Sequence, residues 1–141
     1  MGALAQASTS AASRTYCSGV DFSNVSDIYS NRHAFVALKK GSDQFACWGR
    51  SIFGGLCLSV DFSNVTDVYS NPRAFVALKK NFGQAACWGD SMVGGRCSVI
   101  DFSSVTDIYS NEHAFVALKK DLGQTTCWGD SESGGDCSGV D

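Results

Sequence analysis

Two kinds of apolar run recur along the chain every 40 residues. The first, "VSDIYS", "VTDVYS" and "VTDIYS", alternates apolar with polar, the period of a strand with one covered face. The second, "AFVALKK", is continuously apolar until it ends in two lysines. That pattern fits a strand covered on both faces until its end reaches water. Each is followed by a short stretch, "GSD", "NFG" or "DLG", that suits a tight hairpin loop, and then by a return run, "QFACWG", "QAACWG" or "QTTCWG". A Gly-Gly loop leads onward. Aligned on Cys17, Cys57 and Cys97, the units span 17–56, 57–96 and 97–136 without gaps, behind an N-terminal extension of residues 1–16 and before the start of a truncated unit that ends at Asp141. There is a single proline and no sustained helical period with caps. The pattern predicts an all-β protein of three tandem antiparallel repeats, each with at least three strands.

A unit of this kind exposes apolar hairpin faces that it cannot bury alone, so neighbours must stack on it. The invariant aromatic columns are the natural material of that stacking: Phe22, Phe62 and Phe102; Tyr29, Tyr69 and Tyr109; Phe35, Phe75 and Phe115; Trp48, Trp88 and Trp128. Packing is favoured for them over a platform for bases or sugars.

The string "V-x-D-I-Y-S-N-x-x-A-F-V-A-L-K-K-x-x-G-Q-x-x-C-W-G-D-S-x-x-G-G" resembles the repeats of the regulator of chromosome condensation family, in the short-blade form of bacterial and algal proteins. The resemblance covers residues 17 to 139 and implies propeller-blade-like repeats. The longer turn and the added cysteines depart from the family's pattern. Members of the family range over nucleotide exchange, enzyme inhibition and scaffolding, so the likeness concerns fold more than function. Three blades do not close a propeller, for which four to eight are typical. The alternatives are a segment of something longer, a closed pseudo-three-fold β-trefoil or β-prism, or open faces capped by other chains.

Seven cysteines fall into two columns. No Cys-x2-Cys spacing for zinc is present, and disulfides are the better reading. The simplest scheme joins Cys47 to Cys57, Cys87 to Cys97 and Cys127 to Cys137, leaving Cys17. A scheme starting with Cys17 to Cys47 leaves Cys137. Either requires an oxidising compartment, an organelle lumen such as the thylakoid lumen or the extracellular space.

The net charge of −3, with both signs spread along the chain, gives no basic face for nucleic acid. No run is long and apolar enough to span a membrane, and the start lacks the pattern of a signal peptide. Catalysis finds no constellation: His33 and His113 stand without a nucleophile and an orienting acid, and read as strand-end surface residues. No phosphate loop and no metal site are expected, and no cofactor. Asp90, Asp130 and Asp136 lie beside glycines, but Arg50 and Arg96 replace them in other copies, which favours solvated charges over calcium. The lysine pairs Lys39–Lys40, Lys79–Lys80 and Lys119–Lys120 read as a solvated rim. "NVS" at Asn24 and "NVT" at Asn64 match glycosylation acceptors but are read first as turn residues.

Ile52, Phe53, Met92 and Val93 are expected as exposed apolar loop tips, and such tips mark an interface more often than a cleft. The function expected is therefore a non-enzymatic interaction module, an accessory subunit held to other protein subunits by these tips and its N-terminal extension. The algal flavour of the resemblance implies a photosynthetic complex, on the thylakoid-lumen side, as one concrete setting. The alternative is a lectin-like module in which each unit offers a Trp/Tyr and Asp/Asn pocket to a sugar.

Overall fold

A computed structural model describes residues 22–39 and 43–140 of the chain. The described residues form three separate three-stranded antiparallel sheets, one per repeat, and no α-helix. In repeat 1 the strands are β1 (Asp27–Ser30), β2 (Ala34–Leu38) and β3 (Phe45–Gly49). Repeat 2 has β4 (Asp67–Asn71), β5 (Ala74–Lys79) and β6 (Gln84–Gly89), and repeat 3 has β7 (Asp107–Ser110), β8 (Ala114–Lys119) and β9 (Gln124–Gly129). The continuous apolar run is the central strand of every sheet, which explains why its residues are apolar at consecutive positions. The alternating run is one edge and the Cys-Trp run the other.

Register repeats with the sequence: Phe35, Phe75 and Phe115 pair with Trp48, Trp88 and Trp128, and Val36, Val76 and Val116 with Cys47, Cys87 and Cys127. The β5–β6 and β8–β9 hairpins turn through 3-10 segments, Lys80–Phe82 and Lys120–Leu122, each closed by a left-handed glycine. The corresponding Lys40 and "GSD" turn of repeat 1 lie partly outside the described residues, as do Cys17 and the N-terminal extension.

Successive sheets pack into two cores, one at each junction. Ala34, Val36, Leu38 and the Cys47–Cys57 bridge of the first junction meet Phe62, Phe75, Ala77 and Trp88. Ala74, Val76, Leu78, Val93 and Cys97 meet Phe102, Val105, Ile108, Phe115, Ala117 and Trp128 at the second. Phe75 and Phe115 are fully buried there, and each such ring contributes about 1.5–3 kcal/mol. Trp88 stacks on Phe75 with ring centres 5.1 Å apart and meets Phe62 edge-on at 5.3 Å. Trp128 repeats this with Phe115 and Phe102. Both indoles also reach back to the preceding repeat, Trp88 donating to the Gly54 carbonyl and Trp128 to that of Gly94, each at 3.1 Å. The first strands step along together: Ser70 Oγ donates to Ser30 O and Ser110 Oγ to Ser70 O.

The aromatic columns are not uniformly core. Phe22, Phe35 and Tyr109 are exposed, at 41%, 44% and 57%. Phe22 and Phe35 belong to the side of repeat 1 on which a preceding repeat would lie, and Tyr109 to the side of repeat 3 on which a following one would lie. Stacking, and not the residue type, does the burying. Tyr29, Tyr69 and Trp48 are half-buried.

The "DFSN" corner explains two sequence features. Asn24, Asn64 and Ser104 hold left-handed backbone, with φ of 64°, 61° and 63°. Asn tolerates that region better than Ser because its amide bonds locally to the backbone. Ser104→Asn is therefore expected to stabilise the domain by about 0.5–1 kcal/mol, read as a higher urea midpoint at unchanged slope. A midpoint that stays or falls would show that the corner is not strained by Ser104.

At the same corner Asp61 and Asp101 accept from Ser63 and Ser103 and pair with Lys79 and Lys119 at 3.2 Å. The lysine stems are buried along the sheet while the ammonium groups reach the exposed carboxylates. The second lysines pair with Asp67 and Asp107. Hydrogen bonds from Ser103, side chain and then backbone, followed by Lys119, lower the Asp101 pKa from 3.8 to about 2. The folded value lies below the unfolded one, so the contribution is complete above the unfolded pKa and is lost as pH falls through the folded one. A carbon-detected titration should place the Asp101 midpoint near 2, with Lys119→Met moving it upward. An ordinary carboxylate midpoint in the parent chain would contradict the pairing.

Candidate functional site

The loop after each Cys-Trp-Gly begins with a 3-10 turn: Ser51–Phe53, Ser91–Val93 and Ser131–Ser133. The turns of repeats 2 and 3 are capped by their own aspartates, Asp90 accepting from Met92 N at 2.9 Å and Asp130 from Glu132 N at 3.3 Å. Arg50 offers no acceptor and makes no side-chain cap. These carboxylates are occupied in turn geometry, Asp136 likewise accepting from Ser138 N. Among the described residues no group of three or more His, Cys, Asp or Glu is placed to hold a metal ion.

A 3-10 turn has three residues per revolution, so its middle and last side chains point apart. That geometry divides the four expected loop tips. Ile52 and Met92 project into solvent, 63% and 76% exposed. Val93 does not: it is 3% exposed and belongs to the core at the junction with repeat 3. Phe53 is half-buried, its ring 4.7 Å from the His33 ring, with the Arg50 guanidinium 5.4 Å and the Arg73 guanidinium 5.6 Å from its centre. Arg73 also pairs with Asp90 at 3.6 Å. Partial removal from water, and then the charges of Arg50, Arg32 and Arg73, hold His33 below its usual pKa. Positive charge on its ring is thereby disfavoured, and with the three arginines and the Phe53 ring it forms a surface face that is basic and apolar together.

The Asn of "YSN" is a structural residue that pattern reading passed over. Asn31, Asn71 and Asn111 donate to the carbonyls of Phe53, Val93 and Ser133 at 2.7–2.8 Å. Their Oδ1 atoms accept from His33, Arg73 and His113 backbone N–H groups. Each Asn thereby ties the turn between the first two strands to the 3-10 loop. The only signal was its invariance within the chain, at the polar end of a strand.

Bridges join Cys47 to Cys57, Cys87 to Cys97 and Cys127 to Cys137. They use six of the seven cysteines. Each spans from the third strand of one repeat to the first residue of the next unit, around the Gly-Gly loop.

Among the described residues no helix is long and apolar enough to cross a membrane. No family model matches the chain, and no curated protein sequence matches it. Among solved structures, the entire ectodomain of the receptor kinase CR4 from Physcomitrella patens is similar, with a TM-score of 0.54 and 17% identity over 75% of this chain. The match spans 27% of the length of that ectodomain. At this identity the likeness concerns the fold alone.

Proposed function

We propose that the three sheets are blades of a β-propeller-type array, of the kind seen in the repeats of the regulator of chromosome condensation family, and that the chain is a non-enzymatic protein-interaction module. Support for blades over a trefoil is the arrangement of three discrete sheets side by side, with Ser30, Ser70 and Ser110 stepping along one edge. A trefoil's hairpins would instead share one barrel. The observation that carries the interaction reading is the loop face of repeats 1 and 2. Ile52 and Met92 stand exposed on the 3-10 turns of repeats 1 and 2, and Phe53 of the first turn packs beside Arg50, Arg73 and His33. Such a face fits a partner protein with apolar and acidic groups at its surface, Arg and aromatic side chains being the residues that anchor interfaces.

The lectin alternative finds less support. Trp88 and Trp128 are buried between repeats, and the Asn column is occupied by the backbone. Three bridges fit an oxidising environment, and the similar structure is an ectodomain. An organelle lumen, the thylakoid lumen of a photosynthetic complex among them, or the cell exterior is the setting proposed.

The test is native mass spectrometry of the chain drawn gently from its source, beside the Ile52→Ser/Met92→Ser variant. The parent should travel with other polypeptides at fixed stoichiometry, and the variant should lose them with its thermal midpoint unchanged. A variant that keeps its partners would remove this face from the interface, and glycan binding that survives in the variant would favour the lectin reading.

A further inference from the structure

Asparagine stands at two fixed places in the repeats, and the fold uses the two differently. The side chains of Asn31, Asn71 and Asn111 are engaged by backbone carbonyls and N–H groups. Asn24 and Asn64 instead stand exposed at the "DFSN" corner, each opening a triplet Asn-Val-Ser or Asn-Val-Thr. That triplet is the acceptor motif for an N-linked glycan, with the amide nitrogen at its first position and a hydroxyl at its third. The left-handed corner does not itself require an amide, since Ser104 holds it in repeat 3 with a φ of 63°.

At Asn64 the motif borders a cavity of about 330 Å³ between the hairpin ends of repeats 1 and 2, lined by Asp43, Phe62, Asn64, Thr66, Asn81 and Phe82 among others. Phe82, 59% exposed, gives the cavity an apolar wall. Asp43 and Asn81, both exposed, add hydrogen-bonding groups. An aromatic face beside polar groups is the chemistry that holds a pyranose, whose C–H face packs on the ring while its hydroxyls bond at the rim. Repeat 3 changes both positions together, with Ser104 for Asn64 and Leu122 for Phe82. Asn24-Val25-Ser26 carries the motif in repeat 1, but the residue matching Phe82 there is Ser42, so the seat belongs to repeat 2.

We propose that Asn64 is an N-glycosylation site, the first pyranose of its glycan seated in this cavity on Phe82. In the transfer, Asn64 Nδ2 bonds to C1 of the sugar as the bond from C1 to the pyrophosphate oxygen of a lipid-linked oligosaccharide breaks. The pyrophosphate keeps the electron pair, and the amide gives one proton to a base of the transferase. In the fold Thr66 Oγ1 donates to the Leu78 carbonyl at 3.0 Å and accepts from Lys80 N at 3.2 Å. Its hydroxyl is therefore engaged once β4 and β5 have paired, which places the transfer before repeat 2 folds. The exposed corner then carries the glycan outward without disturbing either core. The proposal rests on the oxidising setting given above and narrows it to a compartment where lipid-linked glycosyl transfer accompanies disulfide formation.

Peptide mapping of the chain from its own source, treated with a glycan-releasing amidase in heavy-oxygen water, tests the site. Residue 64 should be recovered as labelled aspartate; recovery as unlabelled asparagine overturns the proposal. Expressed in the same source, Thr66→Val should lose the label and Thr66→Ser should keep it, and a label retained in Thr66→Val also overturns it. Glycan release should lower the urea midpoint of the parent and lower that of Phe82→Ala by less, whereas equal losses overturn the seat on Phe82. Alkylation of the unreduced chain before mapping reads the bridged cysteines separately. A bare Asn64 on a bridged chain refutes this site alone, and reduced cysteines refute the oxidising setting on which it rests.

Discussion

Reduction of all three disulfides should unfold this domain near physiological temperature. Each bridge joins cysteines 10 residues apart, and closing a loop of that length contributes roughly 2.7 kcal/mol by constraining the unfolded chain. If the three contributions add, they reach roughly 8 kcal/mol against a typical total of 5–15 kcal/mol for a domain. Among the described residues no α-helix covers the sheets. Cys47 and Cys57 lie within the first inter-repeat core, at 0% and 1% exposure, while Cys127 and Cys137 are half-exposed. A limiting dose of phosphine should therefore open Cys127–Cys137 first, found by alkylation and peptide mass spectrometry. Excess reductant should then abolish the cooperative thermal transition. A fully reduced chain that melts as the oxidised one does would show that the stacked cores suffice without the bridges.

Gly94→Ala should be among the most damaging single substitutions, at about 3–5 kcal/mol. Its φ is +111°, a region L residues rarely adopt, and that strain costs about 1–3 kcal/mol. A β-carbon there would overlap the Cδ2–Cε2 edge of the Phe115 ring, which is stacked on Trp128 and cannot give way without displacing it. Overpacking of this kind adds about 1–3 kcal/mol. Gly134→Ala is the internal control. Its φ is +104°, yet the nearest atom to an added β-carbon is Asn111 Nδ2 at 3.6 Å, so it carries the strain without the clash. Urea denaturation of both variants should show Gly94→Ala costing more by about 1–3 kcal/mol. Equal costs would mean that the Gly column serves the turn alone and not the stacking of repeats.

Much of the architecture was legible because the repeats are so alike. Hydrophobic period marks β2, β5 and β8 as two-faced central strands, and the Cys-Trp runs as their return strands. The two cysteine columns narrowed the bridges to two schemes, and the structure holds the one that staples the Gly-Gly loop. Gly-Gly itself could be read as a turn, but its second role, letting the next repeat's Phe ring sit on the backbone, could not. That contact links residues from different repeats. Val93 was misjudged for a similar reason: loop composition announces an exposed tip, whereas the phase of a single 3-10 turn sends Met92 outward and Val93 inward.

The sequence by itself determined the strands, their order within each unit, the pairing partners available to the cysteines and the need for neighbours. These follow from local period and from residue types repeated in phase. The tertiary structure alone decided which copies of an invariant residue are core. Phe35, Phe75 and Phe115 are identical in sequence context, and their exposures of 44%, 0% and 0% follow from whether a described repeat packs against them. Burial is a property of the neighbour that a surface meets, and no single repeat's sequence records whether that neighbour is there.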